Sequence, residues 1–179
     1  QAHYDAGRIA PYKLIDKGGI RFGLFGLLGN NAVAVSPMIK PARFADPIAT
    51  AQATVAKLRE EGAEVVILLS HMGVVQQDDG SWRGEEVELV EQVPGIDIVV
   101  GGHSHTALAQ PVLVNGRTPV MQAGAEIQHL GELHMRLDAD GKPQVLGYQL
   151  HPINDQIAGD AAVTAQVEDF KQVVSAQML

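Results

Sequence analysis

The chain has 179 residues, a formal net charge of −8 and no cysteine. This length is enough for one globular domain with a sizeable core. The 13 basic residues are scattered, which argues against a nucleic-acid or anionic-membrane surface, since either needs clustered basic side chains. Without cysteine there are no disulfides or thiolate metal sites, so nitrogen and oxygen atoms would have to hold any metal.

The first part of the chain alternates strand and helix patterns. Strands are predicted over residues 12–16 and 20–25, joined by the glycine-containing connection of residues 17–19. A helix is predicted from an N-cap at Asp46 to Gly62, because apolar residues recur three and four positions apart between them. This alternation indicates an α/β fold.

Two apolar runs, residues 65–69 and 96–100, predict buried strands. The run at residues 65–69 is continuous, which is typical of a strand that is covered on both faces. A helix is predicted between them over residues 85–93. A strand–helix–strand unit implies parallel strands, so the carboxyl ends of both strands should meet at one edge of the sheet.

The last third of the chain predicts antiparallel strands and one more helix. Strand pairs are expected around turns at residues 115–117 and 138–141. A helix is predicted from residue 160 to residue 178, with Asp160 as its N-cap. No partner sequence follows this helix, so we expect it to act as a connector.

Three histidines give the strongest functional signal. His71 follows the strand at 65–69, and His103 and His105 follow the strand at 96–100. Ligand sites concentrate at the carboxyl ends of such strands. An extended His-x-His segment would point both rings to the same side, and neutral imidazole binds zinc, manganese, iron, cobalt and nickel. The histidines therefore predict a metal site; the alternative is a loop with solvated histidines.

Other polar residues have plainer interpretations. His129 and His134 are expected on the surface or on a sheet face, and His151 is expected to be structural. The pair at residues 30–31 suits a turn as well as a site. The polar loop at residues 78–83 lies between His71 and the next helix, where it would shape substrate entry or simply be solvated.

Four motifs, in this order and spacing, resemble the second half of bacterial 5'-nucleotidases, which belong to the calcineurin-like metallophosphoesterase superfamily. The motifs are Ser70-His71-Met72-Gly73, Val93-Pro94-Gly95-Ile96-Asp97, Gly101-Gly102-His103-Ser104-His105-Thr106 and Gln122-Ala123-Gly124. The resemblance implies half of a four-layer α/β/β/α fold with mixed sheets. It assigns residues 1–157 to the C-terminal half of the metallophosphoesterase domain and residues 158–179 to an interdomain linker helix.

The same resemblance implies metal-dependent hydrolysis of phosphate esters, with nucleoside 5'-monophosphates or related nucleotides as substrates. Two divalent metal ions would form a binuclear centre, and zinc, manganese, iron, cobalt or nickel would suit the ligands. His71 and His103 would bind one metal and His105 the other. By analogy with the family, the protein would be periplasmic or extracellular.

The departures from the family pattern bear on activity. The family's Asp-x-His pair, bridging aspartate and Asn-His pair with the catalytic histidine are absent from this sequence. We therefore assign no catalytic or substrate-binding residue, and we expect the chain alone to be inactive with one metal or none. Its expected partners are an N-terminal half and a C-terminal substrate domain of the same protein. The alternative is a catalytically incomplete metal-binding or interaction domain.

Overall fold

The computed structural model describes residues 7, 9–39 and 41–178. The strands are β1 (Tyr12–Lys17), β2 (Ile20–Leu28), β3 (Val65–His71), β4 (Val75–Gln76), β5 (Trp82–Arg83), β6 (Ile98–Val100), β7 (Val112–Val114), β8 (Thr118–Met121), β9 (His129–Leu137) and β10 (Pro143–Pro152). The helices are α1 (Asn30–Ala34), α2 (Pro47–Glu60), α3 (Glu85–Gln92) and α4 (Ala161–Met178), with a 3-10 helix at Pro37–Ile39.

A six-stranded mixed sheet in the order β1-β2-β3-β6-β8-β7 forms the centre of the fold. The four inner strands are parallel, and β1 and β7 run antiparallel to their neighbours at the two edges. In the register of β3 and β6, Leu68 pairs with Val99 and Leu69 with Val100. The predicted α/β class and parallel strands are confirmed.

Helices α2 and α3 pack on one face of this sheet and form the main core with it. At the start of α2, Asp46 Oδ1 accepts a hydrogen bond from Ala49 N at 2.7 Å, which confirms the predicted N-cap. Leu58 of α2 and Leu68 of β3 are both fully buried. The helix ends before Gly62, whose φ of +88° is the left-handed conformation expected after a helix.

The hairpin of β9 and β10 packs on the opposite face, where Leu133 and Tyr148 contact the buried residues Val65 and Ile98. This cover is partial. Leu69 is 47% exposed and Val100 is 45% exposed, so the predictions that β3 is covered on both faces and that β6 is buried are wrong at the carboxyl ends of these strands. About half of the surface of each residue therefore remains open in the described part of the chain.

Two local differences from the predicted elements have clear causes. Strand β6 begins at Ile98 instead of residue 96, because the Asp97 carboxylate accepts hydrogen bonds from Val66 N and from the Arg59 guanidinium. The polar loop after His71 also contains the short strands β4 and β5, which pair antiparallel. The sequence did not predict these two strands, because each has only two residues.

Helix α4 begins at the predicted N-cap, since Asp160 Oδ1 accepts hydrogen bonds from Ala162 N and Val163 N. Its side chains are exposed through almost its whole described length, including Phe170 at 68%. Among the helices of residues 7, 9–39 and 41–178, none has the length and apolar character needed to cross a membrane.

Candidate functional site

The imidazole rings of His71 and His103 lie side by side at the carboxyl edge of the central sheet. Their centroids are 5.0 Å apart and the ring planes meet at 60°. His71 is the last residue of β3, and His103 follows β6 after two glycines. Because β3 and β6 are neighbouring parallel strands, both chains arrive at the same edge, as the sequence predicted.

The segment that carries His103 and His105 is not extended. Both residues have positive φ values, 75° and 56° respectively, so the prediction that an extended His-x-His points both rings to one side is wrong. Left-handed backbone is uncommon for residues other than glycine, although histidine adopts it more often than most. His105 is exposed, whereas His103 is half-buried beside His71.

A partly buried hydrogen-bond network around the Gln122 side chain holds this turn. Gln122 Nε2 donates to Gly102 O at 3.0 Å, and its Oε1 accepts from Ser104 Oγ at 3.1 Å and from Thr106 N. Thr106 Oγ1 donates to Val74 O at 3.0 Å, and Ser104 Oγ accepts from Val74 N at 3.1 Å. The network therefore joins the loop after β6 to the loop after β3.

The donor atoms brought together here fit part of a metal site. Two adjacent imidazoles supply the nitrogen ligands that first-row transition metals accept. Within the described part of the chain, however, no three His, Cys, Asp or Glu side chains come together in a group that could hold a metal ion. His105 does not complete such a group, so a full site requires ligands beyond those assembled by these residues.

Glu86, which was not identified from the sequence, is a fully buried carboxylate at the base of the two histidine loops. Its Oε1 accepts a hydrogen bond from Gly102 N at 3.3 Å. Burial raises the pKa of Glu86, and the nearby Ser70 side chain and backbone amides oppose that rise. The sequence does contain a signal for the burial of Glu86, because position 86 shares the apolar face of α3 with Leu89 and Val90.

The structure also shows the surroundings of the asparagine pair at residues 30–31 and of the polar loop after His71. The asparagines at residues 30 and 31 begin α1, and their backbone N–H groups donate to the carboxylate of Glu85 at 3.1 and 3.4 Å. Trp82, in the polar loop after His71, is half-buried and packs against the main core.

The remaining histidines of the described residues belong to the β9–β10 hairpin. His134 Nε2 lies 2.9 Å from Glu132 Oε1, and His151 Nε2 lies 2.6 Å from Glu132 Oε2. His129 is half-buried at the start of β9, with its Nδ1 buried and without a hydrogen-bond partner. These positions agree with the surface, sheet-face and structural roles expected for the three histidines.

Comparison with known proteins places this geometry in context. A family profile described as "Calcineurin-like phosphoesterase" matches residues 5–107. The chain is 30% identical over 168 residues to the trifunctional nucleotide phosphoesterase YfkN of Bacillus subtilis, covering 91% of the chain and 11% of that protein. It is 29% identical to the snake venom 5'-nucleotidase of Naja atra, covering 93% of the chain and 33% of that protein.

Among solved structures, the 5'-nucleotidase precursor from Thermus thermophilus superposes with a TM-score of 0.75 at 27% identity. The match covers 96% of this chain and 36% of that chain. The chain therefore spans about a third or less of the length of these three relatives.

Proposed function

Since the chain belongs to the calcineurin-like phosphoesterase family, we propose that it forms part of an enzyme that hydrolyses phosphate esters at a binuclear metal centre. The proposed substrates are nucleoside 5'-monophosphates or related nucleotides. Support for this substrate class comes from relatives described as nucleotide phosphoesterases and 5'-nucleotidases. Members of the family use divalent metal ions, which agrees with the imidazole donors present here.

The observation that carries the proposal is the meeting of His71 and His103 at the carboxyl edge of the sheet. We propose these two as ligands of one metal and His105 as a ligand of the other. When bound, the metal pair would supply a nucleophilic water at neutral pH and would neutralise charge on the phosphate oxygens. The histidines would hold the ions without adding negative charge that repels the substrate.

The remaining parts of the proposal concern organisation and location. We propose that residues 1–157 belong to the catalytic domain and that residues 158–179 link it to a substrate-binding domain. The exposure of α4 supports a linker role, and the short span relative to known relatives leaves room for such a domain. We further propose a periplasmic or extracellular location, which the venom origin of one relative supports.

One observation favours the alternative function. Because the described residues assemble no group of three ligands, this chain by itself would act as an incomplete metal-binding or interaction domain. Activity would then require ligands from another segment, and the family's aspartates and Asn-His pair are the residues to look for.

Phosphate release from adenosine 5'-monophosphate, with added Mn²⁺ or Zn²⁺, tests the enzyme proposal. The protein that carries this chain should release phosphate, and H71A should abolish the release. H134A is the matched control, since His134 is also an exposed strand histidine but lies on the hairpin. Equal activity of the two variants would overturn the assignment of His71. Absence of hydrolysis in the unmodified protein, with metal bound, would favour the alternative.

A further inference from the structure

The first turn of α3 lies where the segments that follow three parallel strands meet. Glu85 holds the segment after β2, through the backbone N–H groups of residues 30 and 31. Gly84 lies against the segment after β3, since a Cβ at this position would be 2.5 Å from Gly73 O. Glu86 lies against the segment after β6, through Gly102 N. This turn therefore contacts the segments after β2, β3 and β6, and the histidine pair lies at the ends of the last two strands.

Glu86 is the one ionisable side chain among the buried residues that the structure describes, with an exposed fraction of 0%. A carboxylate in such a position destabilises the folded state unless hydrogen bonds within the protein replace those it made with water. Its Oε2 has no partner of good hydrogen-bond geometry, and neither has the nearby Ser70 hydroxyl. Burial raises the pKa of Glu86, while the Ser70 side chain and the backbone amides of Gly73, Gly102 and Met72 lower it.

The space for this carboxyl exists because position 101 is a glycine. A Cβ at Gly101 would lie 2.5 Å from Glu86 Oε2 and 2.6 Å from Oε1. The groups that lower the pKa of this carboxyl lie on the two histidine segments: Ser70, Met72 and Gly73 flank His71, while Gly102 precedes His103. Glu86 contacts these neighbours, and it acts on the imidazoles only through them.

We propose that Glu86 is a positioning residue that fixes the segment of His103 relative to the segment of His71. The proposal rests on the proposed function in so far as the two imidazoles bind metal. The Oε1 atom of Glu86 accepts a hydrogen bond from Gly102 N of the His103 segment, while its buried Oε2 atom remains an acceptor for donors of the His71 segment. A neutral amide can accept at one end only, and its NH₂ group would face the donors of the other segment.

This difference makes E86Q the informative substitution. It preserves the shape of the side chain and removes the buried charge, so the loss of stability should be small. The two segments should nevertheless separate, and the rings should move. E88Q is the matched control, because Glu88 is an exposed glutamate on the same helix. E86D keeps both acceptor oxygens and should recover part of the wild-type behaviour.

The test is imidazole ¹⁵N–¹H NMR of the metal-free protein, followed by titration with Zn²⁺. In E86Q, the ring resonances of His71 and His103 should shift while those of His134 and His151 stay in place. Zn²⁺ affinity should fall by about ten-fold or more, as is typical when a partner outside the ligand set is lost. E88Q should change neither quantity, and E86D should fall between E86Q and wild type.

Wild-type ring resonances in a folded E86Q would overturn the proposal, as would equal shifts of all four histidines. If E86Q does not fold, wild-type ring resonances in E86D, together with a large loss of stability, would assign Glu86 a purely structural role. The ring resonances need no metal. A wild-type protein that binds no Zn²⁺ would therefore count against the proposed function, while the NMR comparison would still decide the role of Glu86.

Discussion

Gln122 donates a hydrogen bond from Nε2 to the carbonyl oxygen of Gly102 at 3.0 Å, from a side chain that is 2% exposed. Its Oε1 accepts two further hydrogen bonds from the turn that carries His103. Q122M would leave these groups buried and unpaired, so the free energy of unfolding should fall by about 2–3 kcal/mol. Urea unfolding measures this change.

Q128M is the control for that substitution, because Gln128 is exposed and its side chain makes no hydrogen bond in the described part of the chain. It should change the free energy of unfolding by less than about 0.5 kcal/mol. If Q122M were no more destabilising than Q128M, the Gln122 network would not be what holds the histidine turn.

G101A should destabilise the protein by about 1–3 kcal/mol, because the new methyl group would overlap the Glu86 carboxyl. G147A is the control, since a Cβ at Gly147 has nothing within 4 Å. In a background that carries E86A, the cost of G101A should shrink, since the carboxyl is gone. A double-mutant cycle by chemical unfolding measures this coupling, and strictly additive effects would contradict the packing described here.

Loss of the two N-caps should have different consequences. D46A should lower the free energy of unfolding by about 1 kcal/mol, because α2 packs in the main core. D160A should shorten only α4, whose side chains are exposed. Fluorescence of Trp82, the single tryptophan, reports the first change, and far-ultraviolet circular dichroism reports the second. Equal shifts of the fluorescence midpoint would show that α4 is packed more firmly than the structure indicates.

The hairpin should lose stability in acid through Glu132. Its hydrogen bond to His151, and then the nearby charge of His134, hold the pKa of Glu132 below its ordinary value of 4.5. A carboxyl whose pKa is lower in the folded state stabilises the fold above its ordinary pKa. That contribution disappears as the pH falls from about 4.5 through the lower, folded-state pKa.

E132Q should therefore flatten the dependence of the unfolding free energy on pH below about 4.5. E91Q, which alters an exposed glutamate of α3, should leave the slope unchanged. Identical slopes in the two variants would show that the Glu132 interactions do not contribute to stability.

The order and type of most elements could be predicted from the sequence because their signals are local. Apolar periodicity predicts α2, and largely apolar runs predict β3 and β6. The N-caps at Asp46 and Asp160 also follow from neighbouring residues. The meeting of His71 and His103 could be predicted because the carboxyl ends of parallel strands share one edge.

What could not be predicted depends on contacts between distant segments. His103 and His105 have positive φ values in a turn that is hydrogen-bonded to Gln122, which lies in another part of the chain. Similarly, burial of Glu86 depends on the glycine at position 101 and on the segment after β3. A local sequence pattern cannot predict these contacts, because each one joins segments that are distant in the sequence and meet only in the folded sheet.

The most direct measurement for the central claim is the number of transition-metal ions bound per chain at equilibrium, in the protein that carries this sequence and in its H71A, H103N and H134A variants. Asparagine suits position 103 because it tolerates left-handed backbone. We expect bound metal that H71A and H103N reduce and that H134A leaves unchanged. Equal metal content in all four proteins, or none in the unmodified protein, would contradict the assignment of the two histidines as ligands.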